Sequence, residues 1–360
     1  MRVLTISDYR DTLAVRPEAE QMIRLAKSGV ELEIITYPDT EYENFFREAG
    51  IVVHLTHPTK KYDRTFIRYL GDLTHKNKYQ IFYLFNSQAI INGLMAAKKL
   101  PVKVLLYRGY TGNIHWYDPT AYLKYLHPRV DKIVCLAQSI KEYLGQQPFF
   151  NPRKAVTINK GHDPIWYQNI DASDLTELGV PEHRFVIACM GNARPFKGIK
   201  YLLKATEHLD SMADLYLLLI GRNMAKGSLG RLIEISPMRD RIITTGWRSD
   251  VLSLLAAVDV FILPSIGGEA TTKSLIEAMS MGCAPIITNI SGNRDLVVSG
   301  KNGLVVPPKN PRAIAQAIKT LYDDQHLVEE YGKNAQEHIA ENFHIDRTVK
   351  ETLALFRSII

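Results

Sequence analysis

Short, unbroken apolar runs alternate along this chain with longer amphipathic stretches. In the first half the runs fall at 3–7, 31–37, 51–57, 80–86, 103–107, 133–137 and 155–159, separated by helix-patterned segments. Runs that are apolar throughout, rather than at every second position, predict parallel strands buried on both faces. A second series begins at Arg184, with runs at 185–191, 215–221, 241–246, 260–264 and 284–288, each followed by a helix candidate. The pattern predicts two doubly wound α/β units. Between them, roughly 160–182, a mixed polar stretch containing Gly161, Pro164, Gly179 and Pro181 is the expected hinge. Two facing sheets of this kind create a cleft at the carboxyl ends of their strands, where such sheets bind ligands. The segment from about 310 onward reads as helical, and near its end Val349, Leu353, Phe356 and Ile359 recur at helical spacing; packing is the default role of these residues, ahead of a membrane anchor.

Composition narrows the function classes. A chain of 360 residues, 46% hydrophobic and 23% charged, has material for two ordinary globular cores and is not a disordered polymer. The N-terminus reaches Asp8 after a very short apolar run, which reads as a buried strand and not a signal peptide. No apolar stretch approaches the roughly 20 residues of a membrane span. Cys135, Cys189 and Cys283 lack metal or redox spacing and read as reduced, buried thiols of a cytoplasmic protein.

The net charge of +6 is unevenly distributed. Between Lys60 and Arg108 ten basic residues stand against only Asp63 and Asp72. Lys60, Lys61, Arg64 and Arg68 recur at helical spacing and predict one basic face, suited to an anionic surface or to solvent alone. Nothing resembling a nucleic-acid module accompanies this charge, so no nucleic-acid partner is expected. Peripheral contact with the inner face of a membrane through those four side chains is one use such a face offers, contact with a polyanionic acceptor another, and a solvated face without a partner the alternative to both.

The candidate chemistry lies in the second half. From Pro264 to Gly282 the chain runs from a buried strand, through a loop bearing Gly267 and Gly268, into a helix. Glycines permit close backbone approach, Thr271 or Thr272 can cap the helix, and the first-turn N–H groups point at whatever sits there, which is the arrangement of an anion site. Lys273 falls in that first turn, where the helix dipole disfavours a cation unless an anion balances it, and a diphosphate is expected to do so. Glu269 before the helix and Glu277 within it are then placed to accept sugar and ribose hydroxyls. Upstream, the loop from Gly191 to Gly198 carries Arg194 and Lys197 at a strand's carboxyl end, where fixed cations neutralise a departing diphosphate.

These blocks resemble the retaining family 4 glycosyltransferases of the GT-B fold, whose signature is a pair of glutamates separated by seven residues, here Glu269 and Glu277. Gly191 to Gly198 is similar to that family's arginine-lysine-glycine phosphate loop. Gly246-Trp247, the run Val258 to Ser265, the segment Asn302 to Pro307 and the turn Asn159 to Asp163 also resemble the family pattern. The resemblance implies an α/β GT-B architecture of two Rossmann-like domains with a central cleft: an acceptor-side domain over 1–162, a linker over 163–182, a nucleotide-sugar domain over 183–340 and a final helix over 341–360 that crosses back to the first domain. It implies that Glu269 contacts the transferred sugar and Glu277 the ribose. Arg194 and Lys197 hold the diphosphate, and backbone near Gly191 and from Ala270 through Thr271 and Thr272 to Lys273 lines the donor. Transfer is then a same-face reaction without an enzymic nucleophile. With no Asp-x-Asp signature, neither a metal nor another cofactor is expected. The implied partners are a nucleotide-diphosphate sugar and an acceptor that is a surface polysaccharide, a lipopolysaccharide or a lipid-linked saccharide.

Three departures stand out. Arg194 lies three positions before Lys197 instead of five or six. The loop after the first strand, Ser7 to Thr12, has no glycine, so Arg10 becomes a candidate contact for an anionic group. Arg108 takes the place where many members carry a histidine, and is expected to face donor phosphate or an anionic acceptor; His115 lies nearby in sequence. Competing readings are a non-catalytic sugar-nucleotide-binding protein, an inverting transferase, and a sugar-nucleotide epimerase on the same fold.

Overall fold

A computed structural model describes residues 1–290 and 292–360, with the side chains of 12–14 left undescribed. The chain forms two compact units, one of 1–162 with 343–360 and one of 163–342.

The first unit is built on seven strands, β1 (Arg2–Ile6), β2 (Glu31–Thr36), β3 (Val52–Leu55), β4 (Ile81–Leu84), β5 (Lys103–Arg108), β6 (Lys132–Cys135) and β7 (Ala155–Thr157). They pair in the order β3-β2-β1-β4-β5-β6-β7. The second has six, β8 (Phe185–Met190), β9 (Leu215–Ile220), β10 (Ile242–Gly246), β11 (Val260–Leu263), β12 (Ala284–Thr288) and β13 (Leu304–Val306), in the order β10-β9-β8-β11-β12-β13. Every pairing is parallel, as helices covering both faces require. Ile187 of β8 lies opposite both Leu217 of β9 and Val260 of β11, so the first strand of the unit is central. In each sheet strand order reverses beside that first strand, at β1/β4 and at β8/β11. Loops leaving the two strands in opposite directions part there, opening a crevice at their carboxyl ends.

Burial explains the pattern. All residues of β4, β11 and β12 are buried. Ile187, Leu217, Leu219, Val260, Ile262 and Ile286 of the second sheet pack with Leu202, Ile314, Ile318 and Leu321 from covering helices. The last helix, Ile345–Ile359, belongs to the first unit. It lies against the helix Thr12–Lys27, with Gln21 Nε2 donating to Thr352 Oγ1 at 2.8 Å, and Phe356 is fully buried with its ring 5.8 Å from that of Tyr83. Gly161 permits this seat, because a Cβ there would lie 2.6 Å from the Ile345 Cα.

The basic segment differs from the expected single helical face. Asp63 accepts from the Phe66 N–H at 3.1 Å and caps a helix that starts at Arg64, so Lys60 and Lys61 lie in the turn before it. All four cations are exposed, while Phe66 and Leu70 are buried beneath. Among the described residues no helix is long and apolar enough to cross a membrane. Cys135, Cys189 and Cys283 are free and buried.

Candidate functional site

The crevice beside β8 and β11 gathers most of the sequence candidates. Gly191 follows β8, and the chain turns through Arg194 and Pro195 to Lys197, where Gly198 adopts φ +67°. Gly198 is sterically required: a Cβ would lie 1.9 Å from the Pro264 carbonyl oxygen, at the end of β11. The Ile266 N–H donates to the Phe196 carbonyl at 2.7 Å, which ties the two loops together.

Across this junction Lys197 Nζ meets Glu269 Oε1 at 2.6 Å. Glu269 is 8% exposed, so its charge requires partners. It also accepts from Ser265 Oγ at 2.8 Å and from Thr272 Oγ1 at 3.2 Å. Lys197 in turn runs along Gly191, whose ideal Cβ position is 3.7 Å from the lysine Cε. The loop after β12 closes the far side. A Cβ on Gly292 would lie 2.1 Å from the Glu269 carbonyl oxygen, and the buried Asn293 amide is 3.4 Å from Thr272 Oγ1.

The helix Lys273–Ser280 begins here. Thr272 occupies its N-cap position, yet its hydroxyl makes no cap. It is held by Glu269 instead, so capping by Thr272 is not what this threonine does; the carboxylate is the stronger acceptor in reach. In the first turn the Leu275 N–H donates to the Thr272 carbonyl at 3.1 Å, and the Lys273 and Ser274 N–H groups have no side-chain cap from Thr272. Ala270 is buried and Thr271 half-buried. Lys273 Nζ pairs with the buried carboxylate of Glu277 one turn on, an anion that the helix itself supplies. Arg194 is exposed and takes no part in the Lys197–Glu269 pair. It lines a cavity of about 480 Å³ with Lys200, Asn223 and Lys226. Gly221 N–H donates to the Gly246 carbonyl at 2.8 Å, joining the loops after β9 and β10, and beyond them Trp247 is 58% exposed with the Arg222 guanidinium 5.8 Å from its ring centre. Among the described residues no group of three His, Cys, Asp or Glu side chains is placed to hold a metal ion.

Comparison with known proteins fits this arrangement. Residues 172–338 match the family Glycosyl transferases group 1, and residues 19–165 match Glycosyltransferase Family 4. This chain is a family 4 glycosyltransferase of the GT-B type. Over 310 residues it is 24% identical to the Escherichia coli UDP-Gal:alpha-D-GlcNAc-diphosphoundecaprenol alpha-1,3-galactosyltransferase, covering 81% of this chain and 78% of that one. Its fold is shared with a glycosyltransferase from Rickettsia africae ESF-5, with a TM-score of 0.84, 19% identity and coverage of 99% and 98%. It is shared also with Anabaena HepE in complex with UDP, with a TM-score of 0.81, 18% identity and coverage of 99% and 100%.

In the first unit of this glycosyltransferase, Arg108 is only 1% exposed. Its guanidinium lies 3.5 Å from the centre of the Tyr110 ring and 4.6 Å from that of Tyr125, and it donates to the Gly112 carbonyl. The structure thus encloses Arg108 beneath the loop after β5, with its Nε left without a hydrogen-bond partner among the described residues. His115 stacks on Tyr117 with ring centres 5.1 Å apart.

A further cluster sits at the carboxyl ends of β1 to β4, and only Arg10 of it carried a sequence signal. Arg10 bonds both oxygens of Asp8, at 2.9 and 2.7 Å, and lies 3.8 Å over the Tyr37 ring, which stacks on His57 at 4.2 Å. Burial pushes His57 down to about 4. Its Nδ1 therefore carries the hydrogen toward the Pro58 carbonyl at 3.0 Å, and Nε2 accepts from Asn86 Nδ2 at 2.9 Å. The arrangement presents a neutral imidazole and a neutralised arginine. Ser265, Thr272 and Asn293 in the second unit were likewise not distinguishable as Glu269's supports, since hydroxyls and amides at such positions have no spacing signature.

Proposed function

We propose that this glycosyltransferase moves a sugar from a nucleotide-diphosphate sugar to a lipid-linked or other cell-envelope saccharide, with retention of anomeric configuration and without a metal. The observation that carries the donor reading is the buried Lys197–Glu269 pair, set between two glycine-bearing loops beside an uncapped helix N-terminus. A diphosphate placed there meets the Lys197 ammonium and the first-turn N–H groups, fixed positive charge that needs no reorganisation as the leaving group departs. Glu269 is held by Lys197, Ser265 and Thr272 so that it positions the cation and accepts hydroxyls of the sugar. Glu277, released from Lys273 as phosphate takes over that lysine, accepts the ribose hydroxyls. The exposed Trp247 ring gives the base a stacking surface. Arg194 reaches the diphosphate only by leaving its cavity.

Within a retaining reaction, the way Glu269 is held favours same-face transfer. Double displacement needs a carboxylate nucleophile with a second carboxyl about 5 Å away, whereas Glu269 is paired with Lys197. In same-face transfer the acceptor oxygen bonds the anomeric carbon as the carbon–phosphate oxygen bond breaks. The departing phosphate oxygen takes the acceptor's proton, so charge and protons balance without an enzymic base. The acceptor class is supported by the Escherichia coli relative, whose name gives a diphosphoundecaprenol-linked sugar as its acceptor, and by the exposed cations Lys60, Lys61, Arg64 and Arg68, suited to an anionic membrane surface. A thermal-shift and hydrolysis screen against UDP-, GDP- and ADP-sugars, with and without EDTA, tests the reading. Stabilisation and turnover with one nucleotide class, preserved in EDTA, are expected; a folded sample that responds to none, or only with a divalent metal, overturns it.

A further inference from the structure

A second surface of the first unit is separate in sequence from the donor loops at 191–198 and 264–282. Between 110 and 150 the chain exposes Tyr110, Trp116, Tyr117, Tyr122, Leu123 and Phe149, with Tyr117 at 67% and Phe149 at 89%. Folding normally removes rings of this size from water, so their concentration in one short span marks a contact surface.

Trp116, Tyr117, Tyr122 and Phe149 form one patch. The Trp116 ring is 5.9 Å from Tyr117 and 6.4 Å from Phe149, centre to centre, and Tyr122 donates its hydroxyl to the Trp116 carbonyl at 2.9 Å. Tyr122 and Phe149 border a cavity of about 180 Å³ whose polar edge is His127, Asn151 and Lys154. Phe149 has φ +67°, a left-handed conformation that a bulky residue adopts only where its surroundings impose it, here beside Pro148.

Charge selects the occupant. Across 110–154 the cations are Lys124, Arg129, Lys132, Lys141, Arg153 and Lys154, against Asp118, Asp131 and Glu142. The acids are already engaged: Asp118 by the Thr120 N–H and hydroxyl, Asp131 by Arg129, and Glu142 by Gln138. A saccharide platform needs carboxylates and amides free to bind hydroxyls beside its rings, and here the carboxylates are taken. Projecting Trp, Tyr and Phe rings with surrounding cations are what the headgroup boundary of an anionic bilayer accommodates.

We propose that this aromatic patch inserts into an anionic lipid surface, with Trp116, Tyr122 and Phe149 entering the headgroup boundary and Lys124 and Arg153 meeting lipid phosphates. The patch is separate in sequence from the Lys60–Arg68 cations and does not depend on the donor reading. The full chain is co-sedimented with vesicles of phosphatidylcholine alone and of phosphatidylcholine mixed with phosphatidylglycerol, while tryptophan emission is followed. Wild type is expected to bind the mixed vesicles with a blue shift, and the Trp116→Ser/Phe149→Ser variant to partition roughly tenfold to a hundredfold more weakly. Its thermal midpoint and nucleotide-sugar hydrolysis without vesicles stay at wild-type values, which separates this test from failure of the donor assignment. Lys60→Glu/Lys61→Glu is expected to weaken sedimentation while keeping the blue shift of the bound fraction. The proposal is overturned if wild type ignores phosphatidylglycerol, if the Trp116/Phe149 variant binds as wild type does, or if the substitutions abolish only a self-association of the protein.

Discussion

Replacing Lys197 with Met removes an ammonium bonded to the Glu269 carboxylate, a residue only 8% exposed. Breaking a fully buried ion pair from one side costs about 3 to 5 kcal/mol. Glu269 keeps the Ser265 and Thr272 hydroxyls, so the expected loss is about 2 to 3 kcal/mol, read from urea denaturation followed by circular dichroism. A Lys197→Met/Glu269→Gln double variant recovers most of the stability, because no uncompensated charge remains. Activity behaves differently: losing the cation that faces the leaving diphosphate costs about 3 kcal/mol, roughly a hundredfold in kcat/KM, and the double variant loses at least as much because Glu269 also meets the sugar. If Lys197→Met were as stable as wild type at neutral pH, or kept full turnover with the preferred donor, the reasoning from this pair would fail.

Glu277→Gln is expected to raise the donor KM roughly tenfold with a smaller effect on kcat, measured by steady-state release of nucleoside diphosphate. Gly198→Ala, which needs a left-handed φ and sets a Cβ against the Pro264 carbonyl, should cost more than about 2 kcal/mol and lower the thermal midpoint by several degrees. Burial holds His57 near 4, below its usual value, so its contribution is complete above about pH 6.5 and is lost as pH falls toward 4. The loss reaches about 3 kcal/mol at most, and an acid-denaturation series on His57→Gln should be correspondingly flatter over that range.

What was legible in the chain follows from which forces leave a sequence trace. Strands such as Ile81–Leu84 and Val260–Leu263 are buried on every residue, and a run of apolar residues can state that directly. The paired glutamates and the Lys197 loop were legible because backbone geometry fixes their spacing. Side-chain direction was not: Arg194 and Lys197 share a loop, yet one lines an open cavity and the other turns to Glu269. Arg108 read as a ligand contact because a charge at a strand end commonly meets one, whereas two tyrosines enclose it. Lys273 reads as a first-turn cation awaiting an anion, and the partner it meets in the structure, Glu277, lies one turn along its own helix. The His57 cluster assembles from four strand ends, a long-range arrangement with no local period to reveal it.

The central claim is same-face, metal-free transfer from the Lys197–Glu269 site, and its most direct test needs no acceptor. With the donor that the screen selects, one-dimensional proton NMR in EDTA follows the first sugar released by slow hydrolysis, before mutarotation. The account predicts that the first anomer formed has the donor's configuration and that Lys197→Met abolishes its appearance. The opposite anomer, or release that requires a divalent metal, would contradict it.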